Sequence, residues 1–455
     1  MGSFSFPPNP YDTGFDRYLV MVSVLLFWLY LILALIRFLR RRRPELAVGL
    51  PLAVAYGIRA LAIPAVTLTG VGNSLRGGDE VLFMQNAHAI AAHAFPSNVW
   101  NPFGIHRLYQ VVFALQLKFG QFTVSTLRLT EVGVAVIGTA LIVVSVYDLA
   151  SPRAARLAAW LLAVEPASIF FSQLLHKEPF MMLATGLVAF GGTRVWRRLN
   201  LAGLMTLGLG CAVAVATRPY AGWLLIGAAA LVTLQAAVRH VDRRKRAITA
   251  LLGLAAILAI GIPFALHKTT KQGLRTLRIA QKAYAQDAGT PGNNLALEKV
   301  DFSSRNAIIT NLPRRISELL LRPWPWQVGD TSQQLGVLGT LVAYSALYLL
   351  VLYFVRWRTR AFTLAAPLLY PLFFLTIAYA VSVGNAGTGF RYRSELVVPL
   401  IAAIVVLREA WLTSEGTARA RSRSGRQRWH HAPSPVAATV SVRLLGASGA
   451  SGIER

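Results

Sequence analysis

Residues 18–38 read YLVMVSVLLFWLYLILALIRF, an apolar run that ends just before four consecutive arginines at positions 40–43. About 20 apolar residues are enough for an α-helix to cross the hydrocarbon core of a bilayer. The run lacks the two-residue alternation of an outer-membrane strand. The preceding residues 1–16 contain three prolines and no basic region, so they do not resemble a cleavable signal peptide. We therefore predict a transmembrane helix that stays in the protein.

The rest of the chain repeats this pattern. Of 455 residues, 55% are hydrophobic and only 14% are charged, which is typical of a polytopic membrane protein and not of a soluble globule. Backbone polar groups inside a bilayer must be satisfied internally, so the spans are predicted to be helices. The predicted fold class is an all-α polytopic membrane protein with about eleven spans. They lie at about residues 18–38, 46–70, 131–149, 154–172, 178–194, 200–217, 221–237, 247–266, 334–356, 361–383 and 393–408.

The charge of the chain is strongly positive, with 46 Lys and Arg against 19 Asp and Glu and a net charge of +27. Most arginines lie in short clusters after spans one, three, five, seven, nine and eleven, and such clusters mark cytoplasmic loops. All six clusters fall on one side. We therefore predict a multi-pass protein of the plasma (inner) membrane, with its N-terminus outside and its C-terminus in the cytoplasm. Topology accounts for the charge, so membrane lipids are expected as partners and nucleic acid is not.

Two regions are predicted. Residues 1–410 form a transmembrane module with two long outer loops, at about 71–130 and 267–333. In the first loop, residues 81–95 and 108–127 are predicted to be amphipathic helices that lie along the interface. Residues 411–455 form a tail rich in Ser, Ala, Gly and Arg, which predicts disorder and contact with anionic lipid on the cytoplasmic face.

Asp79 and Glu80 are two adjacent carboxylates at the edge of the second predicted span. Acidic residues are scarce in this chain, and ionisable groups at a membrane edge are candidates for function. Asp79 could instead cap a helix that starts after Gly77 and Gly78. We predict a functional pair on the outer face.

Three further polar turns fall on the same predicted outer face. They are His176-Lys177-Glu178, Thr217-Arg218-Pro219-Tyr220 and Arg391-Tyr392-Arg393-Ser394-Glu395. Arg391 and Arg393 run against the positive-inside trend, so an anionic partner is expected for them; arginine forks bind phosphate well. Three other interpretations stay open: a local Lys177–Glu178 ion pair, a snorkelling Arg218, and neutralisation of one late arginine by Glu395.

The metal-ligating residues are few. Cys211 is the only cysteine and lies in an apolar run, so neither a disulfide framework nor a thiolate cluster is predicted. His88, His93 and His106 share the first outer loop, but the spacing of His88 and His93 is poor for one metal on a helix. No cofactor is expected, and a divalent metal is not indicated.

The constellation of a carboxylate pair and several cations at one membrane face has a chemical meaning. A lipid-linked phosphate is anionic, and its isoprenoid tail needs an apolar groove beside the cations. A hydroxyl acceptor needs a general base, which an aspartate supplies. Cations would stabilise the leaving phosphate. The sequence therefore predicts glycosyl transfer from a polyprenyl-phosphate donor.

Three short motifs resemble those of the GT-C superfamily of polytopic membrane glycosyltransferases, among them protein mannosyltransferases and aminoarabinose transferases. Gly78-Asp79-Glu80 looks like the acidic motif of their first large outer loop. Leu175-His176-Lys177-Glu178-Pro179 is similar to a basic-acidic turn, and Gly389-Phe390-Arg391-Tyr392-Arg393 to a late Arg-Tyr-Arg segment. The resemblance covers roughly residues 10–410. This chain differs in placing the acidic motif after the second predicted span, which implies an added N-terminal helix.

The resemblance implies a GT-C-like fold and an extracytoplasmic transferase of cell-envelope polysaccharide biosynthesis. Its donor would be a polyprenyl-phosphate-sugar and its acceptor a glycan, lipid or protein. Asp79 would be the catalytic base and Glu80 its neighbour. The donor phosphate would be held by Lys177, Arg391 and Arg393; Arg218, which shares their predicted face but lies outside the three motifs, is assigned to it as well. The substrate cavity would be lined by His176, Glu178, Tyr220 and Tyr392.

Two alternative functions remain. An O-antigen- or capsule-type polysaccharide polymerase would use the same arginines on lipid-linked sugars without an Asp-Glu base. A transporter or flippase of lipid-linked saccharide predicts broken helices and ionisable residues near mid-membrane, for which Arg59 and Glu165 are the candidates. These two residues could also pair with each other.

Overall fold

The computed structural model of this chain describes residues 15–69, 79–92, 108–120, 123–240, 304–322, 324, 326, 331–383 and 386–430. These residues form fourteen helices, and no strand occurs among them. The helices are α1 (Phe15–Arg42), α2 (Gly49–Thr69), α3 (Asp79–Ala92), α4 (Leu108–Gly120), α5 (Val124–Leu149), α6 (Pro152–Ala163), α7 (Pro166–Ser172), α8 (Glu178–Arg197), α9 (Leu201–Thr217), α10 (Pro219–His240), α11 (Arg305–Leu321), α12 (Thr331–Trp357), α13 (Arg360–Ser382) and α14 (Ala386–His430).

Seven of the described helices are long and apolar enough to cross a membrane: α1, α2, α5, α10, α12, α13 and α14. The pair α6–α7 would be an eighth span, bent by 59° at its break. The chain is thus an all-α, multi-pass membrane protein, as predicted, but the count of eleven is not confirmed. Helices α8 and α9 lie where two further spans were predicted, but neither combines the length and the hydropathy that a span needs. The predicted span at residues 247–266 lies outside the described residues.

The first loop region differs from its prediction. Residues 108–127 are not one helix, because α4 ends at Gly120 and α5 begins at Val124. Thr123 caps the new helix: its hydroxyl accepts a hydrogen bond from the Thr126 N–H. Helices α3 and α4 pack against each other through Phe83 and Tyr109, whose ring centroids are 4.8 Å apart. Their apolar faces are therefore buried in protein, and their position along a membrane interface stays a prediction.

Helix α5 lies at the centre of the described bundle and is buried along most of its length. It packs most closely on α8, where Gly138 faces Gly186. A Cβ on Gly138 would lie 2.7 Å from the backbone of Met182, and one on Gly186 would lie 2.5 Å from the Gly138 carbonyl oxygen. Small residues allow this backbone contact, which is a common basis of helix packing in membranes.

Asp148 forms ion pairs with one arginine from each of two arginine clusters. Its carboxylate accepts a bidentate pair of hydrogen bonds from Arg43, at 2.7 and 2.8 Å, and one from Arg197 at 2.8 Å. The clusters that follow the first and fifth predicted spans therefore lie at one end of the bundle. This agrees with their predicted common side.

The break between α6 and α7 is stabilised by Arg59, which is fully buried in α2. Its guanidinium donates to the carbonyl oxygens of Leu162 and Ala163 at the C-terminus of α6, at 3.1 and 3.2 Å, and to Ser168 Oγ at 2.8 Å. The Glu165 carboxylate caps α7 by accepting from the Ala167 and Ser168 N–H groups. Arg59 and Glu165 do not pair directly but meet through Ser168.

The chain separates into two compact units, Met1–Arg408 and Glu409–Arg455. Helix α14 continues to His430, so residues 411–430 are helical rather than disordered. Ala and Arg have high helix propensity, which outweighs the polar composition here. The rest of the predicted tail lies outside the described residues.

Candidate active site

Glu80 is a buried anchor and not an exposed acid. Arg128 of α5 donates to Glu80 Oε1 from Nε at 3.1 Å and from Nη2 at 2.8 Å. The Leu175 N–H donates to the same oxygen at 3.1 Å, and Arg128 Nη1 reaches Thr67 Oγ1 at 3.0 Å. Glu80 thus fixes the start of α3 against α5 and the turn before α8. Asp79 is the first residue of α3. The structure describes its backbone but not its side chain.

The turn 173–177 carries the basic motif beside α3. The Lys177 ammonium lies 5.0 Å from the ring centroid of Phe83 and 6.0 Å from that of Tyr109. Phe83 is one helical turn after Asp79. The acidic and basic motifs, far apart in sequence, are therefore neighbours in the fold.

His176 and Glu178 follow Leu175 into the protein interior, where both are fully buried. His176 stacks beside Phe171, and its Nδ1 lies 3.7 Å from Glu178 Oε2. Glu178 Oε1 accepts from Arg218 Nη2 at 3.0 Å and from Arg391 Nε at 3.3 Å. Glu178 therefore pairs across the fold with cations from two other elements.

Arg218 is held between two carboxylates. Besides its bond to Glu178, its Nη1 donates to Glu395 Oε1 at 2.7 Å, and its side chain is almost fully buried. Its guanidinium also lies over the rings of Tyr392 and Tyr379, at 4.6 and 5.3 Å from their centroids. Arg218 is thus a structural cation at the centre of the cluster, and not a snorkelling one.

Three tyrosines complete this cluster. Tyr379 donates its hydroxyl to Glu395, and its ring stacks on Tyr392 with centroids 4.5 Å apart. The hydroxyls of Tyr220 and Tyr392 are 2.9 Å apart. We call this cluster the Glu178 network. Its members are Glu178, Arg218, Tyr220, Tyr379, Arg391, Tyr392 and Glu395.

Arg391 differs from Arg218 in its exposure. About 12% of its side-chain surface is exposed, against 3% for Arg218. Two cations, Arg391 and Lys177, thus lie at the edge of the network, and guanidinium and ammonium groups are the side chains that bind phosphate.

Arg393 points away from the network, although the sequence places it beside Arg391. It is almost fully buried, and its Nη1 donates to the Leu320 carbonyl oxygen at 3.1 Å, at the C-terminus of α11. Nη2 lies 3.4 Å from Thr340 Oγ1 on α12. A cation at a helix C-terminus is favoured by the helix dipole. Arg393 thus holds α11, in the same way that Arg59 holds α6.

Glu131 is a functional candidate that the sequence reading missed. It is fully buried in α5, one turn after Arg128, and neither of its carboxylate oxygens has a hydrogen-bond partner among the described residues. The negative charges of Glu178 and Glu80 repel a negative charge on the Glu131 carboxyl group. A buried polar group without a partner costs free energy, so such a group in a membrane protein points to function.

Arg128 is a second residue that the sequence analysis missed, although its position in the sequence could have marked it as a candidate. It is a cation on the predicted outer side, immediately before an apolar run, as Arg391 is. The hydropathy places the start of the third predicted span at residue 131, so Arg128 falls in the first outer loop. No pattern marks its pairing with Glu80, which depends on the packing of α3 against α5.

The described residues contain no group of three or more His, Cys, Asp or Glu side chains that could hold a metal ion. Burial lowers the pKa of the His88 imidazole, which favours its neutral form. His93 and His106 lie outside the described residues.

Comparisons with known proteins identify no relative. No family model matches the chain, and neither a curated protein nor a solved structure matches it. The likeness to GT-C transferases therefore depends on the three short sequence motifs alone.

Proposed function

We propose that this protein is an integral membrane glycosyltransferase, which moves a sugar from a polyprenyl-phosphate donor to an acceptor hydroxyl at the extracytoplasmic face. One observation carries the proposal. Glu80 accepts a hydrogen bond from Leu175, and Glu178 accepts one from Arg391. The acidic motif and the late arginine motif thus each contact the turn 175–178, which carries the basic motif, and this supports a shared site.

In the proposed reaction, the Asp79 carboxylate removes the proton of the acceptor hydroxyl. The hydroxyl oxygen bonds to the anomeric carbon of the sugar, and the bond from that carbon to the phosphate oxygen breaks. The electron pair stays on the polyprenyl phosphate. Lys177 and Arg391 stabilise the charge that develops there. No cofactor enters this scheme.

The network gives the other predicted residues different tasks. Arg218 is occupied by Glu178 and Glu395, so we assign it to holding the site together and not to the donor phosphate. Arg393 is assigned to α11. His176, Glu178 and Tyr392, which are buried, and the half-buried Tyr220 are assigned to the wall of the proposed substrate cavity.

A transporter or flippase has one observation in its favour, which is the broken helix α6–α7 with Arg59 and Glu165. In transporters of this design, the free ends of broken helices coordinate the substrate. Here the carbonyl groups of the break are taken by Arg59 and its N–H groups by Glu165. The break is satisfied internally, which favours a structural role. A polymerase would share the cations but would not need Asp79.

Purified protein in lipid nanodiscs would be incubated with polyprenyl-phosphate sugars and hydroxyl acceptors. We expect release of free polyprenyl phosphate, with the sugar on the acceptor, and loss of both in Asp79→Asn. Flipping of labelled donor in proteoliposomes without any sugar transfer would instead establish the transporter. Glycan extension that persists in Asp79→Asn would establish the polymerase.

A further inference from the structure

Two tryptophans between α11 and α12 form a flat aromatic surface. The sequence there reads Arg322-Pro323-Trp324-Pro325-Trp326. The rings of Trp324 and Trp326 are parallel to within 2°, with centroids 5.4 Å apart, which is the offset stack that aromatic pairs prefer. Trp326 is 77% exposed although one face of its ring lies on Trp324. Its other face is therefore open at the surface of the protein.

The stack has a fixed base. Trp324 lies against Tyr344 of α12, with 6.4 Å between the ring centroids. The Tyr344 hydroxyl donates to the Leu321 carbonyl oxygen at the C-terminus of α11. In the sequence each tryptophan also follows a proline, whose ring restricts the backbone. A ligand that binds here would therefore have little protein motion to freeze, which favours binding.

The base of the stack connects it with the Glu178 network. Arg393 Nη1 donates to the Leu320 carbonyl oxygen at the same end of α11, at 3.1 Å, and Arg391, two residues earlier on α14, bonds to Glu178. The stack precedes α12, and the arginine cluster at residues 356–360 follows at the other end of that helix. The stack therefore lies at the end of α12 that is predicted to face outward, as the network is.

The free face of Trp326 selects a class of ligand. The face of an indole ring is electron-rich, so it attracts polarised C–H groups or a cation. Helix α11 has three arginines and one glutamate, and its C-cap is Arg322. These positive charges disfavour a cation such as a choline headgroup. A pyranose ring is uncharged and presents C–H groups on a flat face, so it suits both the ring and the charge around it.

We propose that the Trp324–Trp326 stack is a binding platform for a hexopyranose unit of a glycan, with the sugar ring on the free face of Trp326. The inference rests on the proposed function in one respect, which is that this glycan is the acceptor. The platform then holds a sugar unit remote from the reacting hydroxyl, and it favours acceptors of several units over a single sugar.

A membrane anchor is the competing role, because exposed tryptophans are common at the membrane interface. An anchor depends on the amphipathic ring and not on its alignment with a second ring. Trp326→Leu separates the two roles, since leucine keeps an apolar side chain but has no aromatic face. Trp160 of α6 is the control tryptophan: it is 41% exposed and makes no ring contact among the described residues.

The test uses the full chain in phosphatidylglycerol nanodiscs, with maltohexaose and mannohexaose as probes for saturation-transfer NMR. Irradiation of aromatic protons saturates the protein but not the lipid, which has no aromatic protons. We expect transfer to sugar C–H protons in the parent and in Trp160→Ala. The Kd should rise about tenfold in Trp326→Ala and Trp326→Leu, and less in Trp326→Phe, which keeps a smaller aromatic face.

Three results would overturn the proposal. They are the absence of saturation transfer to both probes, an equal Kd in Trp326→Leu and the parent, and displacement of the sugar by phosphocholine at a lower concentration than by maltose. The last result would assign the stack to a quaternary ammonium group. Because Trp326 is exposed, the variants should keep the parent's Tm; if Trp326→Ala and Trp326→Leu do not fold, Trp326→Phe and the phosphocholine competition decide.

Turnover separates the platform from the proposed function. Trp326→Ala should raise the KM of a six-unit acceptor about tenfold more than that of a one-unit acceptor, and Trp160→Ala should not. Sugar binding without any transfer would keep the platform and remove the transferase. Transfer with the same KM values in Trp326→Ala and Trp160→Ala would keep the transferase and remove the platform as its acceptor site.

Discussion

Arg128 donates two hydrogen bonds to a single carboxylate oxygen of Glu80, at 3.1 and 2.8 Å, and both side chains are buried. The pair joins the acidic motif to the central helix of the bundle. Glu80 would therefore act on the reaction only through the position it gives to Asp79. The contribution of the Glu80–Arg128 pair to stability can be separated from its effect on catalysis by measuring unfolding and turnover on the same variants.

Glu80→Gln and Arg128→Met should each destabilise the protein by about 3–5 kcal/mol, because removal of one partner leaves a buried charge alone. The double variant should be less destabilised than the sum of the two, by about 1–3 kcal/mol of coupling. Unfolding in detergent, followed by intrinsic fluorescence, would measure this. Additive effects would mean that the two side chains do not depend on each other.

Asp79→Asn should reduce turnover by about 10²–10⁴-fold while donor binding and Tm stay close to those of the parent, since it removes only a general base. Glu45→Gln is a matched control, because Glu45 is an exposed carboxylate remote from the three motifs in sequence. Turnover in Asp79→Asn equal to that of the control would place the base elsewhere.

Arg391→Lys should weaken binding of the polyprenyl-phosphate donor by about tenfold, since lysine keeps the charge but loses the planar fork. Arg393→Lys is the paired comparison. Because Arg393 holds α11, its substitution should increase hydrogen exchange at Leu320 and Leu321 and leave donor affinity unchanged. Equal losses of donor affinity in the two variants would restore Arg393 to the phosphate site.

Glu131→Leu should raise the free energy of unfolding by about 1–3 kcal/mol, because it removes a buried carboxyl without hydrogen-bond partners among the described residues. If Glu131 serves the reaction, the same variant should also lose activity, as stabilised active sites often do. Chemical denaturation and turnover would be measured on one preparation. A destabilised variant would show that the carboxyl has partners in the native protein.

Composition and hydropathy were sufficient to predict a helical multi-pass membrane protein, because only 14% of the residues are charged and apolar runs of about 20 residues recur along the chain. The polar turns of the predicted outer face also include Glu178 and Arg391, which do meet. Periodicity and hydropathy failed at the helix ends: α5 begins at Val124 because a threonine cap, and not an apolar residue, sets its start.

The partners of the buried charges could not be predicted from sequence. Residues two positions apart on a helix point to nearly opposite sides, so Arg391 reaches Glu178 while Arg393 reaches Leu320. Their spacing in the sequence alone predicts the same role for both arginines. The choice depends on which helices pack beside α14, and that is a property of the whole bundle.

Arg59 has a consequence for how the chain enters the membrane. Two carbonyl groups that satisfy it belong to residues 103 and 104 positions later in the sequence. An arginine at the centre of a span costs about 2.5–3.5 kcal/mol at insertion. During synthesis, α2 therefore reaches the bilayer before its partners exist. Its early insertion should depend on its neighbours or on the insertion machinery, and ribosome-stalled chains truncated before Leu162 should integrate α2 less completely than longer ones.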